Sequence, residues 1–300
     1  MAGTAPDRRR PIGVFDSGLG GLTVLRELHR RLPCEDLIYF GDTARVPYGT
    51  KGEKTVRNFA RQDAGLLVGL GVKLVVVACN TASAFALDHL QEVLPVPVLG
   101  VIEPGVSTAL KATRGGAVGV IGTPGTIRSG RYQAGLQAGT AEFPGVPGGR
   151  ILVQECPLLV PLVEEGWESH PVTRMTLDQY LGPMRDAGVD TLILGCTHYP
   201  LLKAEISEYM GPAAVLVDSA EALAAAAEGT LADLGLRRRD GDPAAGAGKN
   251  PPEGALSFYL SDIPWKFAEI GARFLGKPIN NVETVGLDAM EEAGRLVLKG

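Results

Sequence analysis

The sequence predicts an α/β protein with mostly parallel sheets, organised as two units. Three observations carry this. Short apolar runs recur along the 300 residues, each followed by a Gly, Ser or Thr turn and then an amphipathic stretch, the strand–helix alternation of parallel sheets. The chain is also long for one core, since single cores stop growing at about 250 to 300 residues and ordinary domains run to about 150. Finally, one strand-and-cysteine pattern occurs twice, 117 residues apart. A composition of 45% apolar and 21% charged residues supplies the cores and excludes wholesale disorder or a collagen-like polymer.

In chain order, strands are expected at residues 12–15, 37–40, 74–78, 96–102, 117–121, 192–194 and 214–217. The helix after the first strand is the clearest. Leu22, Leu25, Leu28 and Leu32 fall at helical spacing, Arg26, Glu27, Arg30 and Arg31 take the other side, and Pro33 stops it. A second strong helix is expected at 219–234, where Ser219 lacks a capping-box partner because Ala222 stands three residues on, but the Ala-rich run has high helix propensity. From 237 to 254 the composition turns to Arg, Asp, Gly, Pro and Ala, which reads as a mobile surface loop whose arginines 237–239 form the solvated end of a helix. The last strand and helix do not readily build a core of their own. The expected division is therefore residues 1–99 with 215–300 as one discontinuous domain, and 100–214 as the second.

Several function classes lose ground at once. With 29 Lys and Arg against 34 Asp and Glu, the net charge of −5 offers no broad attraction for a polyanion, so nucleic acid is not expected as the main ligand, although a local basic patch stays open. The longest uncharged run, residues 74–87, falls short of the roughly 20 apolar residues a membrane helix needs. Arg8-Arg9-Arg10 resembles a signal n-region, but an acid and glycines follow it within a few residues, so a cytoplasmic protein is expected. The four cysteines, at 34, 79, 156 and 196, contain no C-x-x-C pair, which argues for free thiols rather than a zinc knuckle or disulfide scaffold. Neither the dinucleotide glycine pattern, a P-loop nor a G-x-S-x-G elbow is present.

The repeat is where chemistry is expected. Residues 73–81 and 190–198 both run from a charged residue through an apolar strand to Cys and a polar pair: Cys79-Asn80-Thr81 and Cys196-Thr197-His198. Either cysteine alone would serve equally as a small buried hydrophobe. Both, however, stand at the carboxyl end of an expected strand, where parallel sheets gather ligands, and both are followed by hydrogen-bonding groups that packing does not need. Two thiols facing one cleft could remove a proton from one face of a carbon and return one to the other, provided that neighbours keep one as thiolate and the other protonated. Candidate tuners are Asp16, at the end of the first strand, and His198, two residues from Cys196 and so on the same side of an extended segment. Asp16 could equally be a turn or helix-cap aspartate. Cys34 and Cys156 lack the strand-end signature. Tyr48, between Pro47 and Gly49, could cover a small ligand or belong to core or rim. Gly49 permits a close backbone approach or a positive φ.

Taken together, residues 13–24 around Asp16-Ser17, 39–49 ending in Tyr48-Gly49, 78–83 around Cys79, 100–105, 122–127, 160–164 ending in Glu164, and 195–202 around Cys196 resemble the glutamate racemases of the cofactor-independent aspartate/glutamate racemase superfamily. The resemblance implies two pseudo-symmetric α/β domains with glutamate in the interdomain cleft, inverted at Cα by Cys79 and Cys196. It makes Asp16, His198 and Glu164 the groups that tune the thiols. Asp16, Ser17, Tyr48, Gly49, Asn80, Thr81, Thr197 and His198 become substrate contacts. It also implies no cofactor, no metal, a homodimer, and D-glutamate destined for peptidoglycan synthesis. One departure is Phe258-Tyr259-Leu260-Ser261-Asp262, where the family commonly has a Thr-Gly-Asp-like turn; residues 237–254 have no assignable counterpart. Two alternatives stay open: a racemase for another amino acid such as aspartate, and a binding or regulatory protein on the same fold, for instance one acting on a DNA topoisomerase.

Overall fold

The computed structural model describes residues 7–139, 150–238 and 253–297, and in them the alternation becomes two sheets. The chain starts with β1 (Ile12–Asp16), α1 (Leu22–Arg31), β2 (Leu37–Gly41), α2 (Glu53–Gly69), β3 (Leu74–Val77), α3 (Asn80–Val93) and β4 (Val98–Gly100). It continues with α4 (Ile102–Ala112), β5 (Ala117–Gly122), α5 (Pro124–Arg128), α6 (Arg131–Gly139), β6 (Ile151–Glu155), α7 (Leu159–Glu164), α8 (Pro171–Asp186), β7 (Val189–Gly195), α9 (Lys203–Met210) and β8 (Val215–Asp218). The remainder is α10 (Ser219–Asp233), β9 (Leu256–Leu260), α11 (Phe267–Leu275), β10 (Val282–Thr284) and α12 (Leu287–Val297). Strand order is β10-β9-β2-β1-β3-β4 in the first sheet and β6-β5-β7-β8 in the second. Every strand pairing in them is parallel.

Strands covered on both faces must be apolar throughout, and Leu74-Val75-Val76-Val77 of β3 is, with all four residues buried. One face of the first sheet packs under α2, α3 and α12 through Phe15, Val75, Val77, Ala60 and Met290. The other face lies under α1, and its apolar cluster runs without a break from Val14 and Leu22 to Ile193 and Leu194 of the second sheet. The two units thus share packed side chains beneath the carboxyl edges of their strands, where the segments following β1, β2 and β3 meet those following β5, β6 and β7. No helix of the described residues is long and apolar enough to cross a membrane.

Four details differ from the sequence expectation. Strand β8, placed by the 214/215 boundary in the first domain, pairs with β7 in the second sheet; the return to the first unit comes after it, through α10, which packs on α1. The cap of α10 is Asp218, whose Oδ1 accepts the Ala220 N–H at 2.9 Å, so Ser219 is already helical. Strand β6 has no solid apolar run to announce it, because at the edge of its sheet it is only half-buried. Most of the expected loop, residues 239–252, lies outside the described residues, but Arg238 is buried rather than solvated. Its guanidinium pairs with Asp36 at 2.8 Å and donates to the Cys34 and Arg9 carbonyls, satisfying a charge that burial would otherwise penalise.

Candidate active site

Cys79 is the N-cap of α3, held where β3 ends. Its sulfur accepts the Ala82 N–H at 3.4 Å and lies 3.6 Å from Ser17 Oγ, to which the thiol donates. Burial pushes this thiol up to about 12, and the neighbouring Asp16 carboxylate adds to the shift, while the Ala82 N–H and the Ser17 hydroxyl oppose it. Asp16 is itself buried at the tip of β1. One carboxylate oxygen accepts the Gly18 N–H at 3.0 Å; the other, Oδ1, is buried with no hydrogen-bond partner. Burial raises the Asp16 carboxyl above its ordinary range, opposed by the charge of His198 and the N–H groups of the turn.

Cys196 occupies the matching place after β7 in the second sheet, and its partners differ. Its sulfur lies 3.8 Å from His198 Nδ1, and His198 Nε2 lies 3.0 Å from Glu164 Oε1 at the end of α7. Burial alone would discharge this imidazole, but the contacts to Cys196 and Glu164 win, lifting His198 to about 10. The upward shift favours the imidazolium, whose position suits compensation of a negative sulfur. Phe274 of α11 meets the ring edge-on, with centroids 5.1 Å apart.

Both thiols line one cleft, together with Ser17, Tyr48, Gly49, Asn80, Thr81, Glu164, Thr197 and His198. Of the residues singled out in the sequence, Asp16 alone stands behind the lining, at 1% exposure. Tyr48 faces the cleft but is more than a cover. Its hydroxyl lies between Asp42 and Asp63, which Arg45 also bridges, so the turn is tied from below. Gly49 is there for close approach, not for positive φ: a Cβ would fall 2.7 Å from the Thr123 side chain. Asn80 accepts the Tyr132 hydroxyl at 2.7 Å through Oδ1, while its Nδ2 is buried without a partner. Asn80 thus leaves one unpaired donor in the wall of the cleft, and Asp16 one unpaired acceptor just behind it.

The comparisons with known proteins agree with this geometry. The family model described as Asp/Glu/Hydantoin racemase matches residues 12–227. The chain belongs to the Asp/Glu/Hydantoin racemase family. Among its relatives, a glutamate racemase of Geobacter metallireducens is 48% identical over 94% of this chain and 99% of that protein. Another, of Syntrophus aciditrophicus, is 49% identical over 92% of this chain and 97% of that protein. A crystal structure of glutamate racemase from Francisella tularensis in complex with D-glutamate superposes with a TM-score of 0.81 at 38% identity, covering 94% of this chain and 99% of that one.

This racemase-family cleft also contains residues that the sequence reading did not place there. Thr123, which follows β5, shares hydrogen bonds with Thr81 at 2.9 Å and Thr126 at 3.0 Å, joining the two units through hydroxyls. Its position at a strand end was the available signal. Val46, Pro47 and Val160 give the cleft apolar wall, and no spacing rule points to them. Cys156, outside the lining, is buried with its thiol pushed up by that burial and by Cys196. Among the described residues, no group of three or more His, Cys, Asp or Glu side chains converges as metal ligands.

Proposed function

We propose that this chain interconverts L- and D-glutamate without a cofactor, by acid/base catalysis between Cys79 and Cys196. The observation that carries the reading is that two buried thiols, one from each sheet, line a single cleft with different partners. In one direction, a thiolate takes the Cα proton and becomes a thiol, the electron pair passing into the α-carboxylate as a carbanionic enolate. The opposite thiol returns a proton to the other face and becomes the thiolate. The reverse reaction starts from that state. His198, held cationic by Glu164, compensates charge on the Cys196 side. Asp16, just behind the wall, places a carboxylate charge beside the cleft that suits a substrate ammonium group, and Asn80 Nδ2 is an unpaired donor suited to a carboxylate. Ser17, Gly49, Thr81 and Thr197 complete the contacts.

Glutamate is favoured as substrate by the names of relatives that align over nearly the whole chain. A cytoplasmic location, a homodimer and supply of D-glutamate to peptidoglycan synthesis go with that reading. Light scattering tests the dimer. The activity is tested by proton NMR of the purified, cofactor-free protein with each glutamate enantiomer in D2O, alongside optical rotation. Loss of the α-proton signal and of rotation from both enantiomers is expected. Exchange with aspartate and not glutamate would move the substrate; exchange with no amino acid would leave a binding or regulatory protein.

A further inference from the structure

Glu164 reaches His198 from the last residue of a six-residue helix, and its side chain is 43% exposed. So short a helix supplies little rigidity of its own. What holds its end is Arg273, on α11. One arm of the guanidinium, Nη2, donates to the Val163 carbonyl at 3.0 Å and to the Glu164 carbonyl at 2.7 Å. The other, Nη1, donates to Glu168 Oε1 at 3.1 Å. A cation over the last carbonyls of α7 also suits the negative end of the helix dipole. The turn that follows is shaped to receive it: Gly166 has φ +75°, and a Cβ there would lie 2.6 Å from Arg273 Nη1.

The anchor stands on the opposite unit. Helix α11 packs on α1, and Arg26 of α1 donates to the Phe274 carbonyl at 3.3 Å. Phe274, next to Arg273, is fully buried and edge-on to His198. A surface pair, Lys266 with Glu165 at 2.8 Å, joins the same two segments. The C-terminal segment thus touches the Cys196 side at two adjacent residues, one gripping the backbone of Glu164 and the other bracing the ring that Glu164 holds.

We propose that Arg273 is a positioning residue for the Cys196 half of the site, fixing the end of α7 so that Glu164 stays aligned with His198. A planar fork suits the task because it engages two successive carbonyls and a carboxylate at once, which an ammonium on a flexible stem does not. The proposal rests on the racemase reading for its kinetic consequence, and on geometry alone for its effect on His198.

The test is a double-mutant cycle with Glu164→Gln. Arg273→Met should lower kcat by up to about 100-fold, the scale of a small misplacement in an active site, with KM little changed. In the Glu164→Gln background the same substitution should add almost nothing, because its effect passes through that carboxylate. An equal loss in both backgrounds would mean a purely structural role and overturn the proposal, as would an unchanged kcat. Should Arg273→Met fail to fold, Arg273→Lys and Gly166→Ala enter the same cycle, the one loosening the grip and the other displacing it. The imidazole 15N signals of His198, followed at fixed pH, give a readout that does not depend on turnover. Their displacement by Arg273 substitution supports the positioning role even if the wild-type protein exchanges no glutamate α-proton, an outcome that would sink only the racemase reading. Unmoved signals overturn the role whatever the activity.

Discussion

The Cys79 wall of the cleft surrounds its sulfur with a hydroxyl, a backbone N–H and a nearby carboxyl, whereas the Cys196 wall sets a cationic imidazole against its sulfur and a second carboxylate behind that. The local sequences are near repeats: strand, small residue, Cys, polar pair. What separates the walls is one residue of the repeat, His198 where the first copy has Thr81, and the partners that come from elsewhere in the chain, Asp16 and Ser17 from the end of β1 on one side and Glu164 from α7 on the other. The comparison teaches that similar strand ends can be given opposite charge environments by one local difference that non-local neighbours reinforce, which is what an acid and a base of the same side-chain type require.

The most severe way to break the comparison is to remove either sulfur. Cys79→Ser and Cys196→Ser should each depress racemisation by about 100- to 10,000-fold, the usual range for a positioned acid or base, as measured by optical rotation. Full racemisation by both single variants would end the two-thiol mechanism. One of them should still eliminate a leaving group from a suitable glutamate analogue, since elimination needs only one proton abstraction.

Next in size is the charge on the Cys196 wall. Glu164→Gln removes one of the groups that raise His198, so the alkaline limb of the rate profile should move down from near pH 10. A limb that stays in place would detach Glu164 from the tuning role. The same shift bears on stability. Because the folded value of about 10 lies above the ordinary 6.5, the contribution is fully present below pH 6.5 and is lost as pH rises through 10. Wild-type and Glu164→Gln melting temperatures should therefore converge at the alkaline end.

The Cys79 wall can be sharpened by alkylation. A thiol held near 12 is almost wholly protonated at neutral pH, so iodoacetamide should label Cys79 slowly and faster as pH rises. Asp16→Asn removes a charge that disfavours the thiolate and should speed labelling severalfold, read by peptide mass mapping; slower labelling would contradict the assigned electrostatics. The smallest effect is expected at the buried end of the hydroxyl cluster that joins Thr81 to Thr123 and Thr126. Thr126→Val deletes the bonds to Thr81 and Thr123 and should cost about 1 kcal/mol of stability by denaturant titration, with both thiols still functional.

Much of the site was legible because parallel α/β topology gives strand ends a meaning before any coordinates exist. A run such as 74–78 followed by Cys79-Asn80-Thr81 declares both the strand and the place where it opens. The resemblance added Glu164, whose local sequence carries no sign of chemistry. Its significance comes from a contact to His198, 34 residues away. Tyr48 was visible as a turn residue, but not its lodging between Asp42 and Asp63, because a carboxylate on α2 says nothing in sequence about the turn above it. Strand β6 and the cap of α10 escaped for a related reason: edge burial and capping geometry depend on what lies alongside.

By itself the sequence determined the α/β class, the parallel strands, the two strand-end cysteines and the turns beside them, since each follows from local periodicity, backbone preference or a repeated short pattern. Only the tertiary structure decided that β8 belongs to the second sheet, that Arg238 is buried against Asp36, that Asp16 disfavours the Cys79 thiolate while Glu164 holds the imidazole beside Cys196, and that Arg273 grips the helix carrying Glu164. The physical reason is common to all four. Strand pairing, desolvation and charge interaction depend on distance in space, and residues far apart in the chain become neighbours only when the two sheets close on their shared core.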